Sequence, residues 1–135
     1  MKPVARFLSI VIATVITYQS ALIAPAINIA LPIEPAATML RFIWPIFFAL
    51  VGIMGLIGVV VARKQRQGFI VNLATLVGMA ACFIFVPIIN NAKDTDTMIL
   101  WNVLHTVTVG ITFVILVLHL IYIFRWHRKG YQNLG

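Results

Sequence analysis

The chain has 135 residues, 62% of them hydrophobic and 10% charged, with a formal net charge of +7. A soluble domain of this size exposes too much surface to hide so much apolar side chain, so lipid is the expected solvent for most of it. The length allows one domain, residues 1–135, without a separate soluble module, and the single cysteine, Cys82, excludes an intramolecular disulfide.

Four apolar stretches follow one another, at about residues 4–31, 39–62, 69–89 and 97–126. Each meets the roughly 20 residues that a helix needs to cross about 30 Å of hydrocarbon. Helices satisfy their own backbone hydrogen bonds in lipid, and no period-two alternation argues for barrel strands. The first stretch opens like a signal peptide, with Lys2 and Arg6 before an apolar run and Ala24-Pro25-Ala26 beyond it. Its length suits a retained span better.

The connections are short. Residues 33–38 contain Pro35, and residues 63–68 read Arg-Lys-Gln-Arg-Gln-Gly, a charged turn ending in a helix-stopping glycine. Residues 90–96 read Asn-Asn-Ala-Lys-Asp-Thr-Asp, with Asn90 and Asn91 expected in a turn or cap. Short loops make successive helices antiparallel neighbours. The expected fold is therefore all-α: a four-transmembrane-helix antiparallel up-down bundle.

Eight of the ten lysines and arginines fall on one side: Lys2, Arg6, Arg63, Lys64, Arg66, Arg125, Arg128 and Lys129. Arg41 and Lys93 fall on the other, with all three acids, Glu34, Asp94 and Asp96. This asymmetry places both termini in the cytoplasm, and the layout suits a bacterial inner (plasma) membrane. The positive charge then serves topology and lipid headgroups, not nucleic acid. Trp44, Trp101, Trp126 and Tyr122 sit near span ends, as an aromatic belt does.

Polar residues inside spans are the candidates for function. On the fourth segment, Trp101, His105, Thr108 and Thr112 recur at steps of four, three and four, and so share a face. His119 lies about 21 Å further along that helix, so the two histidines cannot share one metal or haem within a chain. No metal site is expected and no cofactor is required. Near the external end, Asn28, Arg41, Asn90, Asn91, Asn102 and His105 form an expected polar cluster, with Tyr18 and Gln19 nearer the midplane. The bland alternative is that such residues join helices by hydrogen bonds. Gly52, Gly55 and Gly58 form a small-residue stripe expected to pack inside the bundle.

Pro87-Ile88-Ile89-Asn90-Asn91, a short polar loop and Trp101-Asn102-Val103-Leu104-His105 together resemble the signature of the anthrone oxygenase-like family of small four-helix membrane proteins. The chain departs from it at Thr108, where the family carries arginine. The resemblance implies a cofactor-free oxygenase acting on electron-rich polycyclic phenols. In that reading His105 is the base, Trp101 stacks on the flat substrate, and Asn90 or Asn91 holds a developing oxyanion.

Three functions follow as expectations. The first is a non-catalytic accessory subunit of a larger membrane complex, with other membrane subunits or further copies of this chain as partners and the bilayer as solvent. It is favoured by small size and few intramembrane charges. The second is the oxygenase. The third is a haem- or quinone-binding subunit, with histidine ligands shared between two chains.

Overall fold

The computed structural model describes the backbone of residues 2–132 and the side chains of residues 3–125. The side chains of Lys2, Trp126, His127, Arg128 and Lys129 lie outside that range. The elements are α1 (Lys2–Tyr18), a π-helical turn (Gln19–Ile23), α2 (Ala24–Ala30), α3 (Ile33–Val61), α4 (Arg66–Asp94) and α5 (Met98–Gln132). No strand occurs among the described residues. Four helical runs, Pro3–Ala30, Ile33–Val61, Arg66–Asp94 and Met98–Arg125, are long and apolar enough to cross a membrane. At 28 or 29 residues each, they are about 42 Å long, more than the hydrocarbon core requires.

The breaks have local causes. Pro32 forces Leu31 out of the helical region, to φ −116° and ψ 148°, and so ends α2. Pro35 then sits in the first turn of α3, where its missing N–H costs nothing, beside Glu34, which suits the helix N-terminus. Between α4 and α5 the chain reverses through Asp96, which takes the left-handed conformation at φ 56°, a geometry that aspartate tolerates better than most residues.

Two boundaries differ from the sequence expectation. Asn90 and Asn91 are not in a turn: α4 continues through them to Asp94. Gly68 does not stop a helix. It lies inside α4, where a Cβ would meet Tyr122 Oη at 3.0 Å and the Ala62 Cβ at 3.1 Å. Both errors share a cause. Polarity marks where lipid contact ends, and these helices run past it.

The helices are antiparallel. Gly52 faces Met79, Gly55 faces Thr75 and Leu76, and Gly58 faces Asn72, so α3 descends as α4 rises. Across the next seam, Cys82 meets the Thr108 carbonyl, Thr75 meets His119, and Gln65 meets Tyr122. The first span closes the ring between α3 and α5. The core is Ile12, Ile16, Phe47, Phe48, Val51, Met79, Cys82, Val86 and Ile115.

The two halves of the bundle are built differently. In the half nearer Arg63, glycines bring α3 and α4 together, and the Asn72 side chain fills the notch that Gly58 leaves. His119, fully buried, is held there. The Thr75 hydroxyl donates to the Val71 carbonyl at 2.9 Å and so accepts from His119 Nε2 at 2.8 Å. In the opposite half three helices each carry an internal proline: Pro25, Pro45 and Pro87. A proline ring removes a backbone donor and pushes against the carbonyl one turn back, which bends or widens a helix. At Pro25 the result is the π turn, in which the Ala24 N–H reaches the Gln19 carbonyl. The buried positions of this span record the extra residue. Ala5, Ser9, Ile12, Ile16 and Gln19 follow steps of four and three, with Ala13 buried beside Ile12, and the next buried residues are Ala24 and Ile27.

Candidate functional site

The widened half encloses a cavity of about 660 Å³, within the range of small-molecule sites. All four spans line it. Along α5 it runs from Trp101 to Leu116, a depth of about 22 Å. Its floor is apolar: Ile16, Phe48, Val86 and Leu116. Its rim is polar: Asn28, Arg41, Asn90, Lys93 and His105.

Two aromatic walls face the space. On α5, Trp101 and His105 are one helical turn apart and stack with centroids 5.1 Å apart and planes at 6°. The Lys93 ammonium sits 4.8 Å from the centre of the Trp101 ring, a cation–π contact that keeps the charge at the rim. On α3, Trp44 stacks on Phe48 with centroids 5.6 Å apart and planes at 22°, and meets Phe47 edge-on at 5.5 Å. The lining is therefore rich in aromatic side chains, which favours an aromatic guest.

The rim is braced by one ion pair. Arg41 donates from both terminal nitrogens to Asp94, at 2.6 and 3.2 Å. The pair is solvated, with side chains 37% and 57% exposed, so it adds little stability. What it does is hold the guanidinium of α3 against the end of α4. Lys93 has no acidic partner among the described residues. The charged residues that line the cavity are Arg41, already paired with Asp94, and Lys93, which is the cation left to meet an anionic or readily ionised head.

The residues expected at a site divide cleanly. His105, Trp101, Asn90, Thr108, Asn28 and Arg41 all line the cavity. Thr108 is buried, and its hydroxyl donates to the Leu104 carbonyl at 2.8 Å. Asn28 donates to the Ala24 carbonyl at 3.0 Å. The other four are elsewhere. Asn91 is exposed one position beyond Asn90, and its carbonyl accepts from the backbone and hydroxyl of Thr95. Asn102 is exposed on the outer side of α5. Tyr18 is 56% exposed and lines a separate shallow groove with Thr14, Thr17 and Leu120. Gln19 is buried in the π turn, and its Nε2 has no hydrogen-bond partner among the described residues.

Lys93 is the rim residue that sequence reasoning missed. It lies three residues after Asn90 and seven after Val86, one continuous face once α4 is known to extend to Asp94. His119 is outside the cavity, fully buried against Thr75. Among the described residues no group of three or more histidine, cysteine or acidic side chains is placed to hold a metal ion. No protein-family model, curated protein or solved structure matches the chain.

Proposed function

We propose that this is an integral membrane protein that binds a flat, hydroxylated aromatic molecule in the cavity and oxidises it with dioxygen, His105 acting as base. The observation that carries the reading is the convergence of His105, Trp101, Asn90 and Thr108 on one cavity. That convergence also favours kinship with the anthrone oxygenase-like family. With threonine at position 108, the positive charge that lines the cavity comes from other helices, from Lys93 and from Arg41 in its pair with Asp94.

In the proposed reaction the imidazole of His105 takes a proton from an acidic ring methylene, leaving an enolate-stabilised carbanion. Asn90 and the rim cations steady the negative oxygen. The carbanion gives its electrons to dioxygen, the protonated His105 returns its proton to the resulting peroxide anion to form a hydroperoxide, and loss of water leaves a carbonyl at that carbon. No cofactor takes part. The charge asymmetry of the ends supports cytoplasmic termini and a cavity opening on the external side of a bacterial inner membrane. The accessory-subunit reading gains no specific support, because outward apolar faces serve lipid equally well. A haem shared through His119 would need that side chain to leave Thr75 and the core.

The test uses purified protein in nanodiscs with anthrone, following oxygen uptake and quinone absorbance. Wild type should exceed protein-free nanodiscs, and His105→Ala should lose about a hundredfold in rate or more. Equal rates for wild type and His105→Ala would sink the proposal.

A further inference from the structure

The face of α5 that turns toward the first span is read from Leu120, which shares a groove with Ala13, Thr14 and Thr17 of α1. One, two and three turns back along that stripe lie Leu116, Phe113 and Val109. If the first span stayed against α5 to its end, these would be covered. Instead, Val109 is 55% exposed and Phe113 64% exposed, and both also line the cavity. A side chain that lines a cavity while lying open on the bundle's flank marks an opening in the wall.

The cause is the π turn. Below it, α1 packs against α5; beyond it, α2 packs against α3 instead. The extra residue and Pro25 swing the end of the span away from α5 and leave a gap flanked by Ser20, Val109 and Phe113. The gap spans the middle of the cavity, with Val109 about 6 Å below His105 and Phe113 about 5 Å above Leu116, and its lips are a valine and a phenylalanine.

We propose that the cavity is loaded sideways from the bilayer, through the gap between α2 and α5, by a flat amphipathic molecule with one anionic or ionisable oxygen. Its apolar rings cross the Val109 and Phe113 lips from the lipid phase. Its oxygen turns up to Lys93 and Arg41, and its rings lie between the Trp44 and Trp101 walls. The inference rests on the cavity being a ligand site, as proposed above, and adds the route and the partition requirement. Molecules that do not dissolve in lipid are excluded however well they fit.

The probe is anthracene-9-carboxylate, a fluorescent flat anion without an oxidisable methylene, added to wild-type protein in phosphatidylcholine nanodiscs and followed by stopped-flow fluorescence. Two results are expected. The association rate follows the mole fraction of probe in lipid rather than its aqueous concentration. Val109→Trp, which narrows the gap, slows association about tenfold, while Val114→Trp, equally exposed at 55% but off the cavity, leaves the rate unchanged. The lipid-dilution series on wild type stands even if Val109→Trp fails to fold. If wild type binds probe at a rate set by aqueous concentration, or Val109→Trp folds and loads at the wild-type rate, the lateral route is wrong and the site survives. If wild type takes up no probe, the ligand-site reading falls and the route with it.

Discussion

Replacing Gly55 by alanine isolates the close approach of α3 and α4. A Cβ at Gly55 would stand 2.9 Å from the backbone nitrogen of Leu76, 3.1 Å from Thr75 Cγ2 and 3.2 Å from the Asn72 carbonyl oxygen. Comfortable contact begins near 3.5 Å, so the methyl is about half an ångström too close. Two of the three neighbours are backbone, and no rotamer change relieves them. The helices must part or bend, at about 1–3 kcal/mol for overpacking. Alanine's helix preference returns about 0.5–1 kcal/mol, leaving a smaller net loss. Gly110 supplies the reference, since a Cβ there meets nothing within 4 Å. Gly110→Ala should therefore stabilise by the propensity term alone. The difference between the two variants cancels propensity and reads the contact directly, at about 1–3 kcal/mol. Reversible unfolding in mixed micelles with rising dodecyl sulfate, followed by circular dichroism, measures both. A difference below about 0.5 kcal/mol, the scatter of neutral surface changes, would refute the close-packing argument.

Asn72 and Gly58 should couple. Asn72→Ala removes a fully buried side chain and its 2.8 Å bond to the Gly68 carbonyl, and should cost about 1–3 kcal/mol in the same assay. Gly58→Ala alone collides with Asn72, but in the Asn72→Ala background its penalty should fall by about 1–2 kcal/mol, read from a double-mutant cycle. Cys82 is fully buried, so a maleimide should modify folded protein only as fast as the bundle opens, and modify it at once in dodecyl sulfate, by mass shift; prompt labelling of folded protein would contradict the core assignment.

The number of helices was legible because four apolar runs and three short polar breaks are signals of composition, which lipid imposes strongly. The helix ends were not. Asn90, Asn91 and Lys93 are polar yet helical, because a chain leaving hydrocarbon has no reason to stop coiling. That error hid Lys93, which belongs to the face of Asn90 only when the helix continues. That His105 and Trp101 share a face was legible because a one-turn spacing survives in any straight helix. That Tyr18 and Gln19 lie off this cavity was not legible, because they border a segment where that spacing fails and no residue type announces a π turn except a proline some residues later.

That turn has a consequence for comparing sequences. A relative without the extra residue would have a plain α-helix here and would align with a one-position gap in the middle of a membrane span, at 19–23. Deleting one residue there by mutagenesis should turn the π turn into plain α-helix and leave both flanks in register, because the five-residue step from Gln19 to Ala24 becomes an ordinary step of four. Ala24 would stay buried and Asn28 would stay at the rim. The same deletion in the regular helix on either side has no extra residue to absorb it and would turn one flank by about 100° about the helix axis. Insertions and deletions are usually expected between helices. In this protein the position that best absorbs one lies inside a membrane span.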